Sequence, residues 1–340
     1  MVDQNPKQGL RVGLVGTGFV ARLRVQALTG DERVGEVLVA GRSPQKGQAF
    51  AEKWGVTSVP QWQELIDDSA VDIVFVASTN THRPMVVRSA LEAGKAVATE
   101  YPLALDPTEA AGLIKLAQDK KLLLHVEHIE RLGGVHRALM RHLPNIGEPI
   151  YGRYCTLSPK RSAPKSWTYS RSQFGFPFVG ALSRIQRTTH AFGKVESLSA
   201  AATYWDTTVE GEPVNHQDGE DFYAACLAQA QLRFSAGPIV EVVYGKGDRY
   251  AQPERRFEVR GTEGTLIFDG SEGILLRGEE AIALEVGGKR GSFNRDTAAV
   301  LDGFLDNKPL YISVEESLYA LQVADLARQA VVENRTISFE

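Results

Sequence analysis

Glycines at 16 and 18 and a small residue at 21 give the chain the turn Gly16-Thr17-Gly18-Phe19-Val20-Ala21. A G-x-G-x-x-A turn between a strand and a helix suits a pyrophosphate. Gly16 permits the tight turn, Gly18 lets the backbone approach the phosphates, and Ala21 lets the helix pack closely on the strand. Because "RVGLVG" reads as the first strand of a β-α-β unit, the pattern predicts dinucleotide binding. The tip of the second strand then separates the nicotinamide cofactors. An NADH site usually carries an acid there for the ribose 2′-hydroxyl, but here the tip is Gly41-Arg42-Ser43. Arg42 and Ser43 suit a 2′-phosphate, through planar multi-donor contact and charge, so NADPH is the expected cofactor and NADH the weaker one.

The ends of further strands supply Ser78-Thr79-Asn80, Glu100-Tyr101-Pro102 and Glu127-His128. In a parallel sheet such ends converge on the nicotinamide, so Ser78, Thr79, Asn80, Glu100 and Tyr101 are expected at the cofactor. The Tyr101 phenol can donate a hydrogen bond or serve as a flat wall. Glu127 is expected in the pocket, whereas His125 and His128 are expected to be structural. Farther along, Arg184 and Arg187 stand at i and i+3, neighbours on one helical face. Cys155 and Cys226 lie in apolar strand-like runs and read as buried thiols. With no HExxH, CxxC or carboxylate cluster, no metal is expected.

The elements that must position these groups follow from periodicity. Apolar runs "RVGLVG", "EVLVAG", "DIVFVAS", "AVATE" and "LLLHVE" alternate with helical patterns, Ser43 and Asp106 reading as N-caps and Gly55 as a stop. This succession predicts a doubly wound parallel sheet, an N-terminal Rossmann domain over 1–128. From 129 to 340 the texture changes to longer alternating runs with Gly and Asp-Gly turns, closed by two helical patterns. That reads as a substrate-binding α+β domain with a large open, mainly antiparallel sheet. Between Pro159 and Phe178, aromatics and bases without periodicity suggest a binding loop. A hydrophobic content of 43%, a charged content of 24% and a net charge of −4 describe an ordinary globular protein. They give no signal for nucleic acid, and no run approaches the roughly 20 apolar residues of a membrane span. The start of the chain lacks a signal-peptide layout, so the cytoplasm is the expected compartment.

A Rossmann domain followed by an open antiparallel sheet, with Glu100-x-Pro102 at a strand end, resembles the glucose–fructose oxidoreductase / inositol dehydrogenase family over essentially the whole chain. That family's signature is Glu-Lys-Pro, its lysine contacting the cofactor and the substrate hydroxyl; here Tyr101 replaces it. Its sugar dehydrogenases also carry an Asp-x-x-x-His pair whose histidine is the general base. The matching stretch "GALSRIQRTTH" puts Arg184 and Thr188 at those places. Without the lysine and histidine, alcohol oxidation lacks its proton acceptor. Both departures, with the strings "EYPLAL", "LLHVEHIERLGGVH", "WTYSRSQFGFP" and "SLYALQVADL", resemble the biliverdin reductase branch, the cyanobacterial form most closely.

That resemblance implies NADPH-dependent reduction of biliverdin IXα to bilirubin IXα, with hydride to C10 and a proton to a pyrrole nitrogen. It implies catalytic roles for Arg184, Tyr101 and Glu127, Arg184 as an electrostatic stabiliser or as the group that orients a proton-delivering water. The substrate's propionates and flat apolar faces would be met by Arg184, Arg187, Lys165 and Arg171 with Trp167 and Phe174. The expected partner is a small linear tetrapyrrole, with neither nucleic acid nor membrane, and the chain acts as a monomer or dimer. The alternatives are a sugar or polyol dehydrogenase and a non-catalytic nucleotide-sensing protein.

Overall fold

Ile73–Val76 and Ala96–Thr99 are buried at every position, as strands covered on both faces must be. The computed structural model describes residues 9–159, 166–211, 213–214, 221–288 and 291–339; Lys165 of the expected binding loop lies outside them. Two compact units are formed. The first runs to Ile129 and adds Gly291–Ser317; the second holds Glu130–Arg290 and Leu318–Glu340.

In the first unit six parallel strands are β1 (Leu10–Val15), β2 (Val34–Ala40), β3 (Thr57–Val59), β4 (Ile73–Val76), β5 (Ala96–Thr99) and β6 (Leu124–Val126). Their order, β3-β2-β1-β4-β5-β6, reverses between β1 and β4, the crevice where such sheets bind dinucleotides. The connecting helices start and stop where local chemistry dictates. The Ser43 side chain accepts from Lys46 N at 3.4 Å, and Asp106 accepts from Thr108 N at 2.8 Å with Pro107 at the first helical position. The three-residue strand β3 is absent from the sequence reading, because Thr-Ser-Val carries no apolar run.

Among the described residues the second unit holds nine strands: β7 (Pro149–Pro159), β8 (Val195–Trp205), β9 (Ala225–Phe234), β10 (Ile239–Gly247), β11 (Glu254–Gly261), β12 (Thr265–Asp269), β13 (Glu272–Arg277), β14 (Glu280–Leu284) and β15 (Ile337–Ser338). They lie in the order β14-β13-β12-β11-β7-β10-β9-β8-β15. All neighbours are antiparallel except β7 and β10, which run parallel, so the sheet is mixed and mainly antiparallel. Both cysteines are buried, and burial pushes the Cys155 thiol up to about 12. Part of the expected loop is short helix: Trp167–Tyr169, Arg171–Phe174 and Pro177–Gly180. Ser170 caps the second of these by accepting from Gln173 N at 3.1 Å. Among the described residues, no helix is long and apolar enough to cross a membrane.

The expected second domain, 129–340, includes 291–317, a segment that packs with the first unit. Its helix Ser292–Asp306 contributes Val300 to the core cluster of Val12, Leu14, Val25 and Phe75. It also contributes Asp296, fully buried, whose carboxylate meets the buried guanidinium of Arg24. Burial opposes ionisation of Asp296, yet Arg24, then His125 and Tyr311, hold its carboxyl well below the usual range. This carboxylate's contribution to stability is complete above the unfolded carboxyl pKa of about 4 and is lost as pH falls towards its depressed folded value. Asp296→Ala should cost about 3–5 kcal/mol in urea unfolding of the first unit, because it leaves Arg24 buried with one carboxylate fewer. The variant should also lose part of the wild-type decline in stability below about pH 4.

Candidate functional site

The turn after β1 leaves open space where a phosphate is expected. Gly16 adopts φ +128°, and a Cβ there would lie 2.5 Å from the Ala77 carbonyl oxygen, so only glycine fits. Gly18, by contrast, has nothing within 4 Å of a Cβ position. It is the extended residue before the helix Phe19–Thr29, whose first turn has no side-chain cap and no acid. Uncapped N–H groups facing open space fit a pyrophosphate. Phe19 is exposed, with the Arg22 guanidinium 5.4 Å over its ring, and Ala21 is fully buried against the sheet. Arg42 is exposed and makes no ion pair with any described residue, and Ser43 accepts at the helix cap through its hydroxyl oxygen, which leaves its O–H able to donate. Ser78 Oγ, after β4, is buried without a partner, as a group awaiting a ligand would be.

Two buried arginines, unremarked in the sequence, build the strand ends. Arg83 donates from Nη1 to Asn80 Oδ1 at 3.1 Å and to the Pro102 carbonyl at 2.6 Å, and from Nη2 to the Ser78 carbonyl at 2.9 Å. It therefore ties the segment after β4 to the cis Tyr101–Pro102 turn after β5. Burial pulls its guanidinium down to about 10, against the pull of Glu100, Glu127 and Tyr101. Thr79 accepts from His82 N and Arg83 N through its carbonyl and so opens the following helix. Arg24 donates from Nε and Nη2 to Glu100 Oε1 at 3.1 and 3.0 Å, and from Nη1 to Thr297 Oγ1 at 3.2 Å as well as to Asp296. Glu100, expected at the cofactor, thus has its carboxylate on Arg24.

The same network reaches both histidines. Asp296 Oδ1 bonds His125 Nε2 at 2.8 Å and accepts from Tyr311 OH at 2.6 Å, and Tyr311 OH accepts from His128 N at 3.1 Å. The His128 ring is bonded to Ser317 Oγ at 3.0 Å and stacks on Tyr101, with centroids 4.8 Å apart and planes at 11°. Glu127 is 3% exposed and accepts from Ile129 N at 2.7 Å. Ser78, Thr79, Asn80, Glu100, Tyr101 and Glu127 therefore share one edge of the sheet with the glycine turn. Arg24, Arg83, Asp296 and Tyr311 were missed. A basic residue inside an apolar helix, as in "ARLRVQAL", is the one local signal that Arg24 is buried.

In the second unit, the helix Leu182–Phe192 carries Arg184 and Arg187 as the spacing predicts. Arg184 is half-buried; its Nε donates to Thr156 Oγ1 at 3.1 Å, and its Nη1 to the Gly180 carbonyl at 3.0 Å and Ser183 Oγ at 3.1 Å. Arg187 is buried, donates to the Ser183 carbonyl at 3.0 Å and lies 4.7 Å over the Tyr154 ring. Neither arginine pairs with a described carboxylate. Arg171 differs: it forms an ion pair with Asp206 and stacks 4.4 Å over Tyr204. Trp167 and Phe174 pack against each other at 5.8 Å, and the buried Lys246 lies 4.2 Å over Phe174. Thr188, at the general-base place, is fully buried and donates to the Ile185 carbonyl at 2.9 Å. His190 is bonded to His136 at 2.8 Å, and burial, then the charge of Arg187, pulls His136 down to about 2.

Comparison with known proteins agrees with this layout. An oxidoreductase family model with an NAD-binding Rossmann fold matches residues 10–128, and that family's C-terminal alpha/beta domain matches residues 145–339. The chain is similar to the biliverdin reductase of Synechocystis sp. PCC 6803, solved in complex with biliverdin and NADP+. The two are 45% identical with a TM-score of 0.88, over 95% of this chain and 99% of that one. It is 28% identical to a 1,5-anhydro-D-fructose reductase of Ensifer adhaerens, over 76% of this chain and 75% of the relative. With biliverdin reductase A of Mus musculus it shares 25% identity, over 58% of this chain and 63% of the relative. The chain belongs to the glucose–fructose oxidoreductase / inositol dehydrogenase family of oxidoreductases, in which an NAD-binding Rossmann fold precedes a C-terminal alpha/beta domain.

Proposed function

We propose that the chain reduces biliverdin IXα to bilirubin IXα with NADPH. The observation that carries this reading is the 45% identity over 95% of the chain to a biliverdin reductase solved with biliverdin and NADP+. The site supports it in detail. A polyol dehydrogenase of this family needs a lysine after the strand-end acid and a histidine on the second-unit helix. This chain has Tyr101 and the fully buried, internally bonded Thr188 at those places.

The glycine turn and the uncapped helix N-terminus hold the cofactor's pyrophosphate, Arg42 its 2′-phosphate, and Ser78, Thr79, Asn80 and Tyr101 border its nicotinamide. When bound, NADPH supplies the hydride that converts the C10 methine bridge to a methylene, while a proton from water completes the reduction at a pyrrole nitrogen. Hydride arrival pushes electron density onto the conjugated pyrroles, and Arg184 stabilises it with a charge that no described carboxylate neutralises. A guanidinium is a very poor acid, so Arg184 orients the proton-delivering water rather than giving up its own proton. Tyr101, held flat by His128, presents an aromatic wall, and the Glu127 carboxyl lines the neighbouring strand end. Arg187, with Trp167, Phe174 and Lys165, receives the propionates and apolar faces of the tetrapyrrole. Arg171 is the weakest of the expected contacts, since Asp206 already neutralises it. The chain works in the cytoplasm, as a monomer or dimer.

Purified protein given biliverdin and NADPH should bleach the bilin band and raise that of bilirubin; polyol turnover with NADP+ and no bleaching would sink the reading. Arg184→Ala should cut kcat at least tenfold with the KM for NADPH little changed, since about 1.4 kcal/mol of transition-state stabilisation is a factor of ten. Arg42→Ala should raise the KM for NADPH roughly tenfold and leave that for NADH nearly constant, because only NADPH carries the phosphate that arginine meets. A parallel rise for both cofactors would reassign Arg42 to the turn itself.

A further inference from the structure

Three groups that the sequence does not single out converge on the Arg184 guanidinium. Thr156 is in β7 and Tyr244 is in β10, and the two are direct partners in the register of the sheet's parallel pair. Thr156 is 2% exposed, and its hydroxyl oxygen takes the Nε–H of Arg184. Tyr244 is also buried, with its ring 5.6 Å beneath the guanidinium carbon. Gly180 completes the arrangement. Its carbonyl takes one Nη1 hydrogen, and its missing side chain makes room for Tyr244, since a Cβ there would lie 2.4 Å from the tyrosine ring. Nε and Nη1 of Arg184 are therefore committed to protein acceptors, while Nη2 has no partner among the described residues.

We infer that Thr156 and Tyr244 are positioning residues that aim Arg184, so that Nη2 is the nitrogen presented to the substrate. This inference rests on the role proposed above for Arg184. The physical logic lies in the choice of neutral acceptors. A carboxylate would fix the guanidinium equally well, but it would cancel the charge that the developing pyrrole anion needs. A hydroxyl, two further neutral oxygens and a ring face fix the geometry and leave the charge intact. Parallel pairing of β7 with β10 places the hydroxyl and the ring at one register position, which an offset of one residue would send to the opposite face.

The test is a double-mutant cycle in the full-length enzyme with biliverdin and NADPH. Thr156→Val keeps shape and removes the acceptor; kcat should fall about tenfold, the scale of a hydrogen bond to a charged group, with the KM for NADPH unchanged. Thr156→Ser should recover most of the lost turnover. In the Arg184→Ala background, Thr156→Val should have little further effect, because the group it aims is gone. Tyr244→Leu should behave like Thr156→Val in the same cycle and Tyr244→Phe should retain turnover, which supplies a second arm if Thr156→Val folds poorly. Full additivity of either substitution with Arg184→Ala, or failure of Thr156→Ser to recover turnover, overturns the positioning role. An Arg184→Ala enzyme with wild-type kcat overturns instead the role assigned to Arg184 itself.

Discussion

A guanidinium that is 1% exposed governs the first unit. Taking the Arg24 charge out of water costs several kcal/mol, and the cost is met only because two carboxylates and a hydroxyl surround it. One carboxylate, Glu100, ends strand β5; the other, Asp296, arrives on a helix 272 residues farther along the chain. Each needs Arg24 as much as Arg24 needs them, since an unpaired buried carboxylate is equally costly. The position of the strand end, the helix Phe19–Thr29 that opens at the glycine turn, and the returning helix are thereby fixed by one shared constraint. Arg83 repeats the device with backbone carbonyls, joining the segments after β4 and β5.

This constraint explains why Glu100-Tyr101-Pro102 keeps its acid while its middle residue departs from the family signature. The Glu100 carboxylate is engaged with Arg24, so the acid serves the fold, while Arg83 holds the next turn through the Pro102 backbone carbonyl. The Tyr101 ring is bound instead by stacking on His128, a contact that asks for a flat side chain and not for a particular charge. The middle position can therefore change with the chemistry of the substrate without disturbing the strand end. A lysine there handles an alcohol's proton; an aromatic ring there suits a conjugated ligand.

Local pattern in the sequence reached the features whose cause is local. Five of the six parallel strands are apolar runs, the caps at Ser43 and Asp106 bond within a few residues, and the helix bearing Arg184 follows its own spacing. Strand β3 escaped because three residues are too few to show a period. The membership of 291–317 in the first unit escaped because its cause is a side-chain pair across most of the chain, which no window of sequence displays. For the same reason the partners of Arg24, Arg83 and Arg184 were invisible, though the arginines themselves stand in plain view.

Arginine types and spacings in the sequence leave open whether a given charge belongs to the fold or to a ligand, and partners together with position separate Arg24 and Arg171 from Arg184 and Arg187. Arg24 faces two carboxylates and Arg171 faces one, so neither guanidinium is left with an uncompensated charge. Arg184 and Arg187 face hydroxyls, carbonyls and ring faces, which hold a guanidinium in place without cancelling it. Such a cation keeps its long-range field, and in a partly buried setting that field is screened less than on an open surface. A site that must stabilise charge appearing on a substrate can keep a strong cation only by holding it with neutral groups. The neutral cradle of Thr156, Gly180, Ser183 and Tyr244 therefore distinguishes Arg184 from the carboxylate-paired Arg24 and Arg171.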